Sequence, residues 1–244
     1  MKFSTPTKLA IVAALEREVR GLTRNCHRVE RQHQGRNYVF FERKDKDADV
    51  LIVCGGIGLD SARRAAEAVI ALYHPTELQS VGFAGALDQT MHVGDLFIPA
   101  AVIDARDGSR IQITGERKKG TLLTFMTVAG AEQKTKLAQA YAAQAVDMEA
   151  AAVAEAARAH DLLFGAAKAI SDELDFDLPE MARFIGSQGR FKTASFTLFV
   201  ALRPWLWRRV VLLARNSRKA ERALSRHLER LGAQSRELVE AKVT

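Results

Sequence analysis

Short apolar runs alternate along most of the chain with segments that carry apolar residues at helical spacing. Because strands and helices alternate in this way, the pattern predicts an α/β fold with three layers, in which helices flank a mostly parallel, mixed central sheet. The predicted strands are residues 9–14, 37–43, 49–54, 78–83, 96–103, 122–128, 145–148 and 163–170. The predicted helices are residues 16–24, 61–73, 131–142 and 150–160.

The pattern changes after residue 172. Residues 191–202 are typical of a strongly apolar helix, which Pro204 interrupts or restarts. Residues 205–231 then continue as a basic helix with one apolar face. We therefore expect an α/β domain over residues 1–190 and extra C-terminal helices over residues 191–244, packed on or beside that domain.

The composition is that of a folded, core-bearing chain. Its 244 residues are 48% hydrophobic and include only five prolines. Cys26 and Cys54 are too few for a disulfide framework, so we expect two reduced thiols. The start of the chain lacks a secretory apolar region, and no stretch of about 18 uncharged apolar residues could cross a bilayer. These features favour a cytoplasmic protein.

The net charge of +7 is concentrated in one place. Residues 201–231 contain nine Lys and Arg residues and two Glu residues, which accounts for the whole excess. Two interpretations stay open: the helix packs on the sheet with a solvated basic face, or it contacts an anionic membrane from the inner, cytoplasmic side, for which basic residues and Trp are typical. Nucleic acid is not expected as a partner, because no recognition motif accompanies the charge.

Two predicted strands end in a carboxylate. Glu149 follows the run at residues 145–148, and Asp172 follows the run at residues 163–170. The carboxyl ends of parallel strands are where open α/β sheets bind ligands, so both acids are predicted to face one crevice. The alternative interpretation is that Glu149 and Asp172 are helix N-caps or acids of the first helical turn. The six histidines show no paired ligand spacing, so no metal site is expected.

Four blocks of sequence carry a resemblance to a known family. VDMEAAAVAEAA (residues 146–157) and KAISD (residues 168–172) resemble the signature of the purine nucleoside phosphorylase and methylthioadenosine/S-adenosylhomocysteine nucleosidase superfamily. Residues 10–19 resemble its first strand and turn, and residues 82–95 resemble its central Gly-rich loop and the next strand. The resemblance implies a nucleoside phosphorylase-like fold, a purine nucleoside as small-molecule substrate, no cofactor and a homo-oligomer.

The resemblance also implies roles for single residues. Asp172 matches the acid that protonates the leaving base, and Ser171 would orient it. Glu149 matches the carboxylate that binds the ribose hydroxyls, and Glu18 matches the carboxylate that activates water. The other implied positions are Met148 under the sugar, Phe83, Ala84 and Gly85 near the sugar, Phe125 or Met126 stacking on the base, and Gly56 and Gly58 lining the nucleophile pocket.

Hydrolysis of an adenine nucleoside is the favoured reaction. Hexameric phosphorylases carry an Arg just before the central Gly-rich loop, where this chain has Ser80 and Val81, whereas Glu18 is present as the water route requires. A phosphorylase that uses phosphate is the first alternative. A second alternative comes from the C-terminal extension, which looks like the hopanoid-associated phosphorylase branch and implies adenine release from a lipid-linked nucleoside of the adenosylhopane type.

Three departures from the family pattern leave a further alternative open. Phe83 replaces a small Ser or Thr, Lys168 stands where Arg is common, and only 26 residues, 95–120, occupy the place of a longer substrate-binding excursion. These departures are compatible with a non-catalytic nucleoside-binding or membrane-surface protein that keeps the fold.

Overall fold

The computed structural model describes residues 7–24, 26–44, 48–113, 118–177, 181–186 and 189–243. The strands are β1 Thr7–Ala13, β2 His27–His33, β3 Arg36–Lys44, β4 Ala48–Cys54, β5 Glu77–Ala86, β6 Leu96–Phe97, β7 Ala101–Asp104, β8 Arg110–Gln112, β9 Thr121–Thr124, β10 Ala145–Asp147 and β11 Leu163–Asp172. The helices are α1 Arg20–Thr23, α2 Leu59–Tyr73, α3 Ala131–Tyr141, α4 Ala150–Ala159, α5 Thr193–Ala201 and α6 Pro204–Val243, with 3₁₀ helices at Glu16–Glu18 and Met181–Phe184.

Strand β5 holds the sheet together. It pairs in parallel with β1 and with β11, and its last two residues pair antiparallel with β10. The main path of the sheet runs β2-β3-β4-β1-β5-β10-β9-β7-β8, and β11 branches from β5 to reach β6. Apart from the β5–β10 pair, the centre of the sheet is parallel, and its outer hairpins are antiparallel. The predicted three-layer α/β architecture with a mixed sheet is thereby confirmed.

Strand β1 shows why helices cover both faces of the sheet. Successive side chains of a strand point to opposite faces, so an uninterrupted apolar run needs a cover on each side. Ala10 and Val12 pack into a cluster with residues of α2 and α4. Ile11 and Ala13 pack into a second cluster with residues of α1 and α6.

The C-terminal helix α6 contributes to this second cluster. Ala220 and Leu224 are fully buried, together with Ile11 of β1 and Val81 of β5. The helix is therefore part of the core, and the division at residue 190 stays a prediction. Within the described residues, no helix combines the length and apolarity needed to cross a bilayer.

Three local expectations from the sequence differ from the structure. The run at residues 96–103 forms two strands, β6 and β7, with Pro99 between them, because proline cannot donate to a ladder. The helix expected at residues 16–24 is a 3₁₀ turn followed by the four-residue α1. Strands β2 and β8 were not expected, since they are polar edge strands without an apolar face.

Leu224→Ala tests whether α6 belongs to the core. We expect the cavity left by the substitution to lower the free energy of unfolding by about 2–5 kcal/mol. For a chain of this size, that lowers the Tm by roughly 5–15 °C, measured by differential scanning calorimetry. Leu163→Ala is the matched control, because Leu163 is 64% exposed. Equal Tm values for the two variants would contradict this packing.

Candidate active site

A cavity of about 510 Å³ opens at the carboxyl ends of β1, β10 and β11. Its inner wall carries carboxylates and a lysine from four separate parts of the chain: Glu18, Lys134, Asp147, Glu149 and Asp172. Its outer wall is mainly apolar and comes from the segment that includes α5 and α6. The cavity therefore has a charged end and an apolar end.

Glu18 follows β1 and ends the first 3₁₀ helix. Its carboxylate is buried and accepts a hydrogen bond from the Leu15 amide, with 3.2 Å between N and Oε2. A Cβ atom at Gly82 would lie only 2.9 Å from this Oε2, so the glycine lets the carboxylate lie against β5. Burial raises the pKa of Glu18, and the Leu15 amide and the charge of Lys168 limit the increase.

Glu149 occupies the N-cap position of α4, but its side chain does not cap that helix. The capping role belongs to Asp147, whose Oδ2 accepts from the Ala150 amide at 2.9 Å. Glu149 instead accepts from the Gly58 amide at 2.8 Å and from the Met148 amide at 3.2 Å. Burial, and next the Asp147 carboxylate, raise the pKa of Glu149 to about 7.

The turn that carries Gly58 is fixed by a second contact. Gly58 has φ of 95° and precedes α2, a backbone conformation that favours glycine. The Ile57 amide donates to the carbonyl oxygen of Gly189 at 2.8 Å. A Cβ atom at Gly189 would lie 2.4 Å from the Ile57 carbonyl oxygen, so the two backbones are in close contact. The turn that holds Glu149 is thus joined to the segment that leads into α5.

Asp172 ends β11 and is held from two sides. The Ser171 hydroxyl donates to its Oδ1 at 2.6 Å, and the ammonium group of Lys134 donates to its Oδ2. Lys134 is only 1% exposed, and it also donates to the carbonyl oxygen of Glu173 at 2.6 Å. A Cβ atom at Gly85 would lie 2.8 Å from Asp172 Oδ2, so a second glycine of β5 makes room for this carboxylate.

Lys168 supplies a buried positive charge behind the inner wall. Its Nζ lies 2.8 Å from Asp147 Oδ2 and donates to Ser80 Oγ at 3.0 Å. Burial alone would lower the pKa of Lys168, but Asp147, Glu149 and Glu18 outweigh it and raise the pKa. The lysine is therefore charged, and it offsets part of the mutual repulsion of the three carboxylates.

The match to a known family covers most of the chain. A model of the phosphorylase superfamily matches residues 8–125 and 118–202. The chain belongs to this superfamily. Membership makes it an enzyme of the nucleosidase and nucleoside phosphorylase group, as the four sequence blocks predict.

Relatives of this superfamily member include two 5′-methylthioadenosine/S-adenosylhomocysteine nucleosidases. The one from Staphylococcus saprophyticus is 28% identical over 204 residues, covering 69% of this chain and 88% of the relative. The one from Buchnera aphidicola is 27% identical over 201 residues, covering 69% of this chain and 86% of the relative.

Solved structures of the superfamily share the fold. The nucleosidase of Colwellia psychrerythraea in complex with adenine has a TM-score of 0.62 at 22% identity, covering 70% of this chain and 85% of its own. The futalosine hydrolase of Helicobacter pylori has a TM-score of 0.66 at 16% identity, covering 92% of this chain and 98% of its own.

Most of the residues expected at the site line the cavity, and a few do not. Phe125 packs in an apolar cluster with Leu123 and Leu137, and Met126 is 61% exposed. Neither residue lines the cavity, which the segment after β9 contacts at residues 127–129. The expected residues that do line it are Glu18, Phe83, Ala84, Gly85, Met148, Glu149, Ser171 and Asp172.

The turn at residues 56–58 contacts the cavity through Ile57. Ile57 lines the cavity, whereas Gly56 does not, and Gly58 acts through its amide on Glu149. Lys134 is not among the residues expected at the site from the sequence. It lies one turn before Leu137 on α3, on the same buried face, and this spacing is the signal that could have found it.

Glu149→Gln tests the charge state of the buried carboxylate. The folded protein binds the proton of Glu149 more tightly than the unfolded chain, since the pKa rises from 4.5 to about 7. Ionisation of Glu149 therefore lowers the free energy of unfolding of the wild type as the pH rises from 4.5 to about 7, by up to about 3 kcal/mol. We expect the Tm of Glu149→Gln, relative to wild type, to rise between pH 5 and pH 8.

The control for this measurement is Glu132→Gln on the exposed surface. Lys136 lowers the pKa of Glu132, so removal of this charge gives no gain at pH 8. If the Tm difference between Glu149→Gln and wild type were the same at pH 5 and pH 8, the surroundings of Glu149 would not raise its pKa.

Proposed function

We propose that this enzyme hydrolyses the N-glycosidic bond of a purine nucleoside and releases adenine. The observation that carries the proposal is the convergence of Glu18, Glu149 and Asp172 on one cavity from three distant parts of the chain. The names of the relatives support the same reaction class, since both are nucleosidases.

Each carboxylate fits one requirement of the reaction. The base leaves as a neutral species only if a proton reaches its N7, and Asp172 is the donor. The ribosyl group becomes cation-like as the bond breaks, and Glu149 accepts hydrogen bonds from its hydroxyls while its negative charge stabilises the cation. The raised pKa of Glu18 makes it a stronger base near neutral pH, which suits it to take a proton from the attacking water.

Water is favoured over phosphate by the surroundings of Glu18. Lys168 is 1% exposed, is paired with Asp147 and Ser80, and does not line the cavity, so it is not placed to bind a phosphate oxygen. The Glu18 carboxylate would repel a phosphate dianion next to it. Phosphorolysis stays the alternative, in which Arg17 and Arg20 at the cavity wall would bind the anion.

The apolar end of the cavity indicates what the 5′ position of the substrate carries. Phe191, Phe196, Val210 and Leu213 line it. An apolar wall binds an apolar substituent better than a free hydroxyl group, which would lose its hydrogen bonds with water. A 5′-methylthio group fits this requirement, and so does the lipid-linked nucleoside implied by the hopanoid-associated resemblance.

Adenine release is the assay for the reaction and for its acid. We expect the wild type to release adenine from 5′-methylthioadenosine faster than from adenosine, at a rate that phosphate does not change. Asp172→Asn should lower kcat about 10²–10⁴-fold, the usual contribution of a positioned acid. Asp175→Asn is the control, because Asp175 lines a neighbouring cleft instead of this cavity.

Two outcomes of this assay would overturn the proposal. Release that occurs only with phosphate would identify a phosphorylase. Unchanged turnover in Asp172→Asn would show that the acid lies elsewhere.

We further propose that Lys134 is the source of the proton that Asp172 delivers. Lys134 Nζ donates a hydrogen bond to Asp172 Oδ2, so a proton that passes from Asp172 to the base can be replaced along this contact. The C1′–N9 electron pair passes to the base, N7 takes a proton from Asp172, and Asp172 takes one from Lys134 Nζ. Water adds to C1′ and gives one proton to Glu18, which releases it to solvent, and the lysine takes one proton back from solvent.

Lys134→Met and Lys134→Arg separate proton supply from mere positioning. Arginine keeps the charge but does not deprotonate in proteins, so both variants should lose adenine release by about 10²-fold or more. Both should retain cleavage of 4-nitrophenyl riboside, whose leaving group departs without a proton, and this activity also reports correct folding. Full adenine release by Lys134→Arg would show that Lys134 only positions Asp172.

A further inference from the structure

The corner between α5 and α6 exposes a set of large apolar side chains. Leu202 is 68% exposed and Trp205 is 72% exposed, although residues of this kind are normally covered. Together they form what we define as the aromatic corner, which consists of Leu202, Trp205, Trp207, Val211 and Leu212. Clustered apolar exposure of this kind marks an interaction surface.

The corner is held in shape by contacts of its own. The Trp207 indole Nε1 donates to the carbonyl oxygen of Val200 at 2.9 Å. The Arg203 guanidinium lies 3.9 Å from the centre of the Phe199 ring and donates to the Phe199 carbonyl oxygen. A partner therefore meets a preformed surface, and little ordering is needed when it binds.

Cations alternate with the apolar residues of the corner. Residues 202–220 contain six Lys and Arg residues and neither Asp nor Glu. Arg208 and Arg215 are exposed and lie seven residues apart on α6, hence on one face, and Val211 lies between them on that face. The face around Val211 is thus both apolar and positive, whereas Leu212 and Arg209 line a cleft that also contains Glu173, Asp175 and Asp177.

We propose that the aromatic corner binds the surface of an anionic lipid bilayer. Tryptophan is enriched at the boundary between headgroups and acyl chains, and each basic residue near an anionic surface adds to binding. A second copy of the chain fits worse, because a two-fold contact through this face would set arginines against arginines.

Binding through the corner also determines where the candidate site lies. Val210 and Leu213 of α6 line the cavity, whereas the neighbouring Val211 and Leu212 belong to the corner. One helix therefore separates the bilayer from the cavity. The inference goes beyond the proposed function and does not depend on it, since binding is measured without substrate.

The two tryptophans of the chain make the test direct. Both lie in the aromatic corner, so intrinsic fluorescence reports this surface alone. We expect the full chain to sediment with vesicles of phosphatidylcholine mixed with phosphatidylglycerol, with a blue shift of the emission, and to remain in solution with phosphatidylcholine alone. Added salt should release the protein.

Substitutions in the aromatic corner test whether this surface is the one that binds the vesicles. Arg208→Gln with Arg215→Gln should weaken the partition coefficient about 30-fold, and Leu202→Ser with Trp205→Ser should weaken it as well. The charge-matched control is Arg28→Gln with Arg36→Gln in the β2–β3 hairpin, and the apolar control is Leu163→Ser.

Three results would overturn the inference. The first is the absence of sedimentation with anionic vesicles at low salt. The second is an equal loss of binding in the controls. The third is a blue shift that grows with protein concentration without vesicles, since this would show that a second copy covers the corner.

Discussion

The charged side chain of Lys168 lies almost wholly buried beneath the cavity, among Asp147, Glu149 and Glu18. Three carboxylates in a space sheltered from water repel one another strongly, and each also loses hydration. The ammonium group offsets both costs, and Ser80 binds one of its remaining protons. Without Lys168 the acids would either take up protons or move apart, and neither state suits the proposed chemistry.

The arrangement of the acids also depends on the backbone of β5. Gly82 lies against the Glu18 carboxylate, and Gly85 lies against the Asp172 carboxylate. The strand also carries most of the central pairing, since β1, β10 and β11 all bond to it. The strand that gives the sheet its continuity is therefore also the one against which two acids lie closely, because it lacks side chains at two positions.

The fold and the acids could be predicted because they follow strong local patterns. Asp172 ends β11 and Glu149 lies two residues after β10, and such strand ends meet at one edge of a sheet. Strand β2 could not be predicted in this way, since its residues are mostly exposed and show no apolar alternation.

Side-chain partners were harder to foresee than strands. Lys134 lies on a helix of mostly polar residues, where a lysine normally faces solvent, and only the assembled fold brings it to Asp172. The side-chain positions of Phe125 and Met126, which follow β9, could not be predicted for another reason. The strand ends at Thr124, and without a regular element the direction of Phe125 and Met126 does not follow from periodicity.

The bond between the Ile57 amide and the Gly189 carbonyl joins two regions that have different tasks. On one side the chain continues through Gly58 to the carboxylate of Glu149, and on the other it leads into the helical hairpin of α5 and α6. A displacement of the hairpin must either break this bond or pull the turn along with it. A displacement on the outside of the molecule is thereby transmitted to the Gly58 amide, which donates to the Glu149 carboxylate.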